Sequence, residues 1–310
     1  TNSDSMIADM KEGNLDWVDQ VPFNAVDVLK KDDSIVVNEV PGAETTNITW
    51  NSNPRKAKNR ELLDPQVKKA VSMCVDRDKI IEVVFNGYAE KVESLVGHIS
   101  PLENPNLGPL EYDCEAGSQM LDDLGYAKGP DGIRVAPATT GKDAQPEHKM
   151  EYEVITPSLD SIDFNVERSF EIVKEGFAEA GVTVTHKVGG DATATYALET
   201  GDNCDPAKST GYDSFDIAMW DWVGYIDPDF MLSVVTKGQW CSWSDTGWDN
   251  PEYDKLYQEQ GTTIDPEKRK EIVWDMQQMI YDNWVYTQLT NHVYLDANRK
   301  EWDGLLTELN

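Results

Sequence analysis

Asp227 and Asp229 stand on either side of Pro228 in the stretch WDWVGYIDPDF, residues 220–230. Two carboxylates this close invite an acid–base reading, in which one protonates a leaving group while the other activates water, as in glycoside hydrolysis. The same Asp-Pro-Asp triplet has an ordinary structural job, ending a strand and capping the next segment of chain. With 57 acidic residues in 310, a close pair also arises readily by chance. A secreted acidic hydrolase using Asp227 and Asp229 therefore stands as the alternative reading. A calcium loop is disfavoured because no EF-hand spacing surrounds the pair. The sequence has no GxSxG elbow, no phosphate-binding glycine loop and no GxGxxG after a strand. His98, His148, His186 and His292 have no second histidine or cysteine at ligand spacing, so neither a metal site nor a cofactor is expected.

Binding chemistry is better represented than catalysis. Trp220 and Trp222 share parity, so in a strand both rings point to one face. Gly224 and the Asp227-Pro228-Asp229 turn then end that strand. Five of the ten tryptophans (Trp220, Trp222, Trp240, Trp243 and Trp248) fall within about thirty residues. Such a cluster is either an aromatic core corner or the wall of a site for an organic or cationic ligand. Trp222 is open to both readings.

The elements that must hold these side chains follow from periodicity. Residues 5–18 and 23–31 carry helical spacing, and SIVVNEV and TTNITW read as strands. The Asn47-Ile48-Thr49 sequon falls in the second of these, where a strand is the better explanation. After a polar linker, Asp64 with Pro65 and then Asp76 predict the starts of two helices, the second stopped by Asn86-Gly87. A short helix ends at Gly125, and GPDG makes a tight turn. From Glu151 the order is strand, helix, strand: a βαβ unit, which makes parallel neighbours. SFDIAMWDW is a further strand. Two helices open at Pro251 and Pro266, and VYTQLTNHVYL closes as a strand. The sum is an α/β or mixed α+β architecture.

Composition narrows the partners. A net charge of −30, from 57 acidic and 27 basic residues, repels nucleic acid and anionic lipid. The acids are spread along the chain, which suits a protein kept soluble in concentrated salt, where screening shortens self-repulsion. Cys74 sits on the apolar stripe of a helix and reads as a small buried hydrophobe. Cys204 and Cys241, in turn-rich segments flanking the tryptophan motif, are the candidates for a disulfide, which would imply an oxidising compartment. No apolar run is long enough to span a bilayer, and the opening TNSDSMIADM reads as the middle of a helix, as in a truncated chain.

Several phrases in order resemble the family 5 extracellular solute-binding proteins of ABC importers, the family with peptide- and nickel-binding members. ITWNSN followed by LLDPQVKKAVSMCVDRDKIIEVVFNGYAE, then YDCEAGSQMLDDLGY, FDIAMWDWVGYIDPDFMLSVV, WDNPEYDKLYQE and DPEKRKEIVWDMQQMIYDN are similar to that family's C-terminal half. The resemblance implies a type II periplasmic-binding-protein-like α/β lobe with a mixed sheet flanked by helices. It also implies a C-terminal fragment, and the spread of acidic residues adds a haloarchaeal source as the expectation. Residues 1–55 would be the tail of the first lobe and the hinge crossing, 56–285 the second lobe, and 286–310 the return crossing. It implies capture without chemistry of a small organic solute or oligopeptide, with a membrane permease as partner. The protein would be a monomer outside the cell, anchored at its surface in full-length form. A sensor or regulatory domain could borrow the same fold. Residue by residue, Trp222 matches a cleft tryptophan, and Tyr225 stands where peptide binders keep an aspartate for the ligand's amino terminus. Trp220 and Asp227 complete the implied ligand-binding set.

Overall fold

The computed structural model describes residues 3–157, 164–189 and 215–302. The chain opens with α1 (Ser3–Glu12), β1 (Trp17–Val18) and α2 (Val26–Leu29), and continues into β2 (Ile35–Trp50). The two strand segments expected between residues 34 and 50 are thus one strand. It is irregular in its middle: its register against the last strand, β9 (Tyr286–Arg299), slips between Pro41 and Thr45. Pro41 has no N–H for the ladder. Gly42 is required there, because a Cβ would lie 2.1 Å from the carbonyl oxygen of His292. Asn291 closes the irregularity, its Nδ2 donating to the carbonyls of Gly42 at 2.9 Å and Glu44 at 3.1 Å. Asn47 lies fully buried within this strand, as expected of a strand residue rather than a glycosylation site.

Helices α3 (Pro65–Ser72) and α4 (Arg77–Val83) start where the capping residues predict. The Asp64 side chain accepts from the Gln66 amide at 2.8 Å, and Asp76 from that of Lys79 at 2.9 Å. After β3 (Ala89–Lys91), α5 (Cys114–Asp123) is capped by Asp113 and followed by Gly125 at φ +91°. The short pair β4 (Val135–Ala136) and β5 (His148–Lys149) has no clear sequence pattern. The expected βαβ unit is present as β6 (Glu151–Pro157), α6 (Phe164–Ala180) and β7 (Thr183–Gly189), with β6 and β7 parallel. β8 (Ile217–Val223) carries the tryptophan motif and leads into α7 (Asp229–Ser233). Then come α8 (Pro251–Thr262), capped by Asn250, and α9 (Pro266–Asp282), capped by Asp265.

Seven of the described strands form one mixed sheet in the order β1-β9-β2-β8-β6-β7, with β3 also on β9, while β4 and β5 pair apart from it. β8 joins its two regimes, antiparallel to β2 and parallel to β6. Ile217 and Met219 pack with helices α3 to α6 in the largest core cluster, beside Ile48, Tyr152 and Phe170. Trp222 enters a second cluster with Met231, Tyr253 and Met276, which belong to α7, α8 and α9. A third cluster joins Met10 and Leu29 to Ile35 and Leu295, at the other end of the β2–β9 ribbon. Among the described residues no helix is long and apolar enough to cross a membrane.

Cys74 corrects one expectation. It is not a buried thiol but is disulfide-bonded to Cys114, tying the end of α3 to the start of α5. Helical spacing placed Cys74 in the core, but nothing local marks a partner 40 residues away. Cys204, expected to pair with Cys241, lies outside the described residues; Cys241 is itself disulfide-bonded.

Candidate functional site

Strand alternation puts Ala218, Trp220 and Trp222 on one side of β8. The two indoles converge on a single group: Trp220 Nε1 donates to Asp245 Oδ2 at 2.9 Å, and Trp222 Nε1 donates to the same oxygen at 3.0 Å. Thr49 Oγ1 on β2 donates to it at 3.3 Å, and the Tyr286 hydroxyl on β9 donates to Oδ1. Asp245 therefore ties three strands together from a loop. That loop is pinned to the end of β2 by the Ser52 amide, which donates to the Thr246 carbonyl at 2.8 Å. Asp245 has no exposed surface. Burial pushes its carboxyl up to about 6, although the bonds from Tyr286, Trp222 and Trp220 pull the other way. Sequence reasoning misses this residue, because one acid among 57 gives no cue; its only mark is its place between Trp243 and Trp248.

The five clustered tryptophans divide. Trp240 and Trp248 are core: the Trp240 indole donates to the Trp248 carbonyl at 3.0 Å, and Trp248 packs on Tyr253. Trp220 and Trp222 meet edge to face at 5.2 Å, and Trp222 meets Phe230 at 6.0 Å. Phe230 in turn takes Tyr225 at 5.8 Å and Trp243 at 5.5 Å, both nearly perpendicular to it. Burial grades across this surface. Trp222 is 8% exposed, Trp220 is half-buried, and Tyr225 and Trp243 are 55% and 48% exposed. The result is a continuous aromatic face, anchored inside by Asp245 and open outside at Tyr225 and Trp243.

Asp227 and Asp229 are placed differently. Arg269 on α9 grips Asp227 through both oxygens, at 2.6 and 2.8 Å. This bond holds the Asp227 carboxyl below its ordinary value, so it stays ionised and is a poor proton donor. Asp227 Oδ1 also accepts the Asp229 amide at 3.0 Å, closing the turn. Asp229 accepts from Gln260 at 2.6 Å and from Tyr257 at 3.4 Å. Both carboxylates are engaged with α8 and α9, an arrangement that locks a turn rather than one poised for hydrolysis.

A second polar cluster lies where β2, β8 and β9 run together. Single donor atoms of Glu44, Asp221 and His292 come within 4.8 Å of one another. His292 Nδ1 is 3.5 Å from Glu44, and Nε2 is 2.6 Å from Thr46 Oγ1 and 3.9 Å from Asp221. Burial pushes the Glu44 carboxyl up, but the hydrogen bond and charge of His292 outweigh it and leave it below its ordinary value. The cluster thus sets one buried imidazole between two carboxylates, with the Thr46 hydroxyl at its Nε2. The three residues are far apart in sequence, so spacing rules could not group them.

This sheet order and site geometry can be set beside known proteins. A profile of the bacterial extracellular solute-binding proteins, family 5 (middle), matches residues 1–242. The chain belongs to this family. The dipeptide-binding protein of Escherichia coli (strain K12) is 22% identical over 286 residues, which are 90% of this chain and 46% of that protein. Among solved structures, the oligopeptide-binding protein AppA from Bacillus subtilis, in complex with a nonapeptide, superposes with a TM-score of 0.76 at 19% identity. That match covers 98% of this chain and 56% of AppA. NikZ from Campylobacter jejuni, in complex with Ni(L-His), gives 0.72 at 19% identity, with the same coverages of 98% and 56%. The fold is that of these type II periplasmic binding proteins, as the resemblance implied. This family 5 chain spans about half the length of the relatives it matches. The family is one of solute-binding proteins, not enzymes, in keeping with the turn-locking role of Asp227 and Asp229.

Proposed function

We propose that this family 5 chain is the C-terminal part of the substrate-binding component of an ABC importer, and that Trp222, Trp220 and Tyr225 form one wall of its solute cleft. The observation that carries this is the aromatic face of β8, held rigid by Asp245 and left open at Tyr225. Rigid aromatic walls contribute contact area at low ordering cost, and lobe closure buries the ligand against them. In this reading residues 1–55 and 286–310 belong to the first lobe and the two crossings, and residues 56–285 form the second lobe. The β2–β9 ribbon, with separate core clusters at its two ends, supports that division. Asp227 serves the cleft by fixing the turn below Tyr225, since Arg269 already occupies its carboxylate.

The solute is a small organic molecule or an oligopeptide. Tyr225, standing where the resemblance implies an aspartate, favours the compact solute. The partner is a membrane permease, and the protein works as a monomer outside the cell, held at its surface in a saline medium. The Cys74–Cys114 disulfide supports an oxidising compartment.

Mass spectrometry of what co-purifies in high salt with the full-length parent protein tests this reading. A single compact molecule, lost in Trp222→Ala, is the expected result. A peptide ladder would shift the solute class. Turnover of a glycan that vanishes in Asp227→Asn would overturn the binding reading in favour of the hydrolase.

A further inference from the structure

A cavity of about 420 Å³ opens between the turn at residues 60–64 and the loop that joins β4 to β5. That is the size of a site for a small organic molecule. It shares no residue with the aromatic face of β8. We propose that this cavity is a second binding site on the chain, taking a small zwitterion of the amino-acid type. The proposal goes beyond the solute cleft and does not depend on it.

The wall is built before any ligand arrives. Gln145, in the β4–β5 loop, accepts from the Arg60 amide at 3.1 Å and donates to the Ala57 carbonyl at 2.6 Å. Within the loop, the Thr139 amide donates to the Gln145 carbonyl at 2.9 Å, and the Gln145 amide donates to Thr139 Oγ1 at 2.8 Å. The loop is fastened to itself and to the turn, so binding has little ordering left to do. Tyr126, Ala136 and Pro137 supply an apolar side.

Charge decides the class of ligand. Arg60, Lys142 and His148 line the cavity together with Glu61, Asp64 and Asp143. Four of these six satisfy one another: Arg60 lies 3.6 Å from Asp143, and His148 lies 3.2 Å from Glu61. Glu61 also accepts from the Tyr152 hydroxyl at 2.9 Å. Lys142 and Asp64 are left over, and neither has an ion-pair partner among the described residues. Asp64 gives Oδ1 to the Gln66 amide as the cap of α3, which leaves its second oxygen. Lys68, four residues along, donates instead to Ser52 Oγ at 3.2 Å. Burial, and then the charges of Glu61 and Asp64, push the Tyr126 phenol up to about 12, so it stays protonated. A simple anion would meet Asp64 unanswered, and a simple cation would meet Lys142. A molecule carrying both charges sets its carboxylate on Lys142 and its ammonium on Asp64, and each uncommitted charge is matched.

The test titrates the full chain with L-leucine and two blocked forms of it. N-acetyl-leucine lacks the ammonium, and leucinamide lacks the carboxylate. Calorimetry reads the affinity, and NMR amide and indole shifts read the place. Leucine is expected to shift the amides of Thr139 and Gln145 and to bind about tenfold more tightly than either blocked form. In Lys142→Ala, leucine and leucinamide should bind within about threefold of each other. In Asp64→Asn, which keeps the cap of α3, leucine and N-acetyl-leucine should do the same. A blocked form that binds the unaltered chain as well as leucine does would overturn the zwitterion. Shifts confined to the indoles of Trp220 and Trp222 would put the ligand on the aromatic face and overturn the second site. So would the absence of any shift with leucine and with glutamine at millimolar concentration.

Discussion

Three aromatic side chains on two strands take their orientation from the carboxylate of Asp245. Its folded-state value of about 6 lies above the ordinary 3.8, so between these two values the folded chain binds the extra proton. Stability from this group is therefore present at low pH and is lost as pH rises through about 4 to 6, a difference of about 3 kcal/mol. Asp245→Asn removes the buried charge and keeps an acceptor for the indoles. The wild-type unfolding free energy minus that of Asp245→Asn should fall by about 2.5 kcal/mol between pH 4 and pH 7 in urea titrations. A flat difference would show that no charge is buried there. Asp245→Ala should cost about 2–4 kcal/mol at neutral pH, because it strands the N–H groups of Trp220 and Trp222. The sign is opposite at Asp227: its carboxyl is held low by Arg269, so its contribution is present above the unfolded value and lost on acidification.

At the scale of elements, the β2–β9 ribbon and the α3–α5 junction carry constraints that change measurable stability. The irregularity at Pro41 to Thr45 lets one strand run through both ends of the molecule, and it leaves no room for a side chain at position 42. Gly42→Ala should lower stability by about 3 kcal/mol or more, since backbone must move on one of the two strands. A loss under about 1 kcal/mol in thermal unfolding would mean the ribbon relaxes freely. The Cys74–Cys114 bond closes a loop of 40 residues. Replacing both cysteines by serine should cost about 4 kcal/mol on the chain-entropy account. Because Cys241 is also disulfide-bonded, the double variant reports on this bond where a reductant would not. The βαβ unit, by contrast, needs no such device, since its parallel pairing is enforced by the α6 crossover.

For the whole molecule the dominant quantity is the charge of −30. Spread over the surface, it opposes compaction in dilute buffer and is screened in concentrated salt. The melting temperature is expected to rise steadily with added salt, measured by circular dichroism at constant pH. Full stability without salt would remove the case for a saline habitat. The same charge favours capture of cations over anions before any specific contact forms, and it sets the acidic surface against nucleic acid.

What the amino-acid order determined by itself was the local grammar and the family pattern. Asp64 and Asp76 cap helices as the sequence predicts, and Asp113, Asn250 and Asp265 cap theirs in the same way, because a cap is settled within three residues of chain. The shared face of Trp220 and Trp222 was legible for the same reason, since strand alternation is a property of neighbours. Tertiary structure alone decided which tryptophans became core and which became wall, because burial depends on what packs from α7, α8 and α9. It alone gave Cys74 its partner and assembled Asp245 with Thr49 from 196 residues away. It also joined Thr46 to His292 across 246 residues. Contacts of that range leave no period or spacing in the chain; they exist only once the sheet brings its strands side by side.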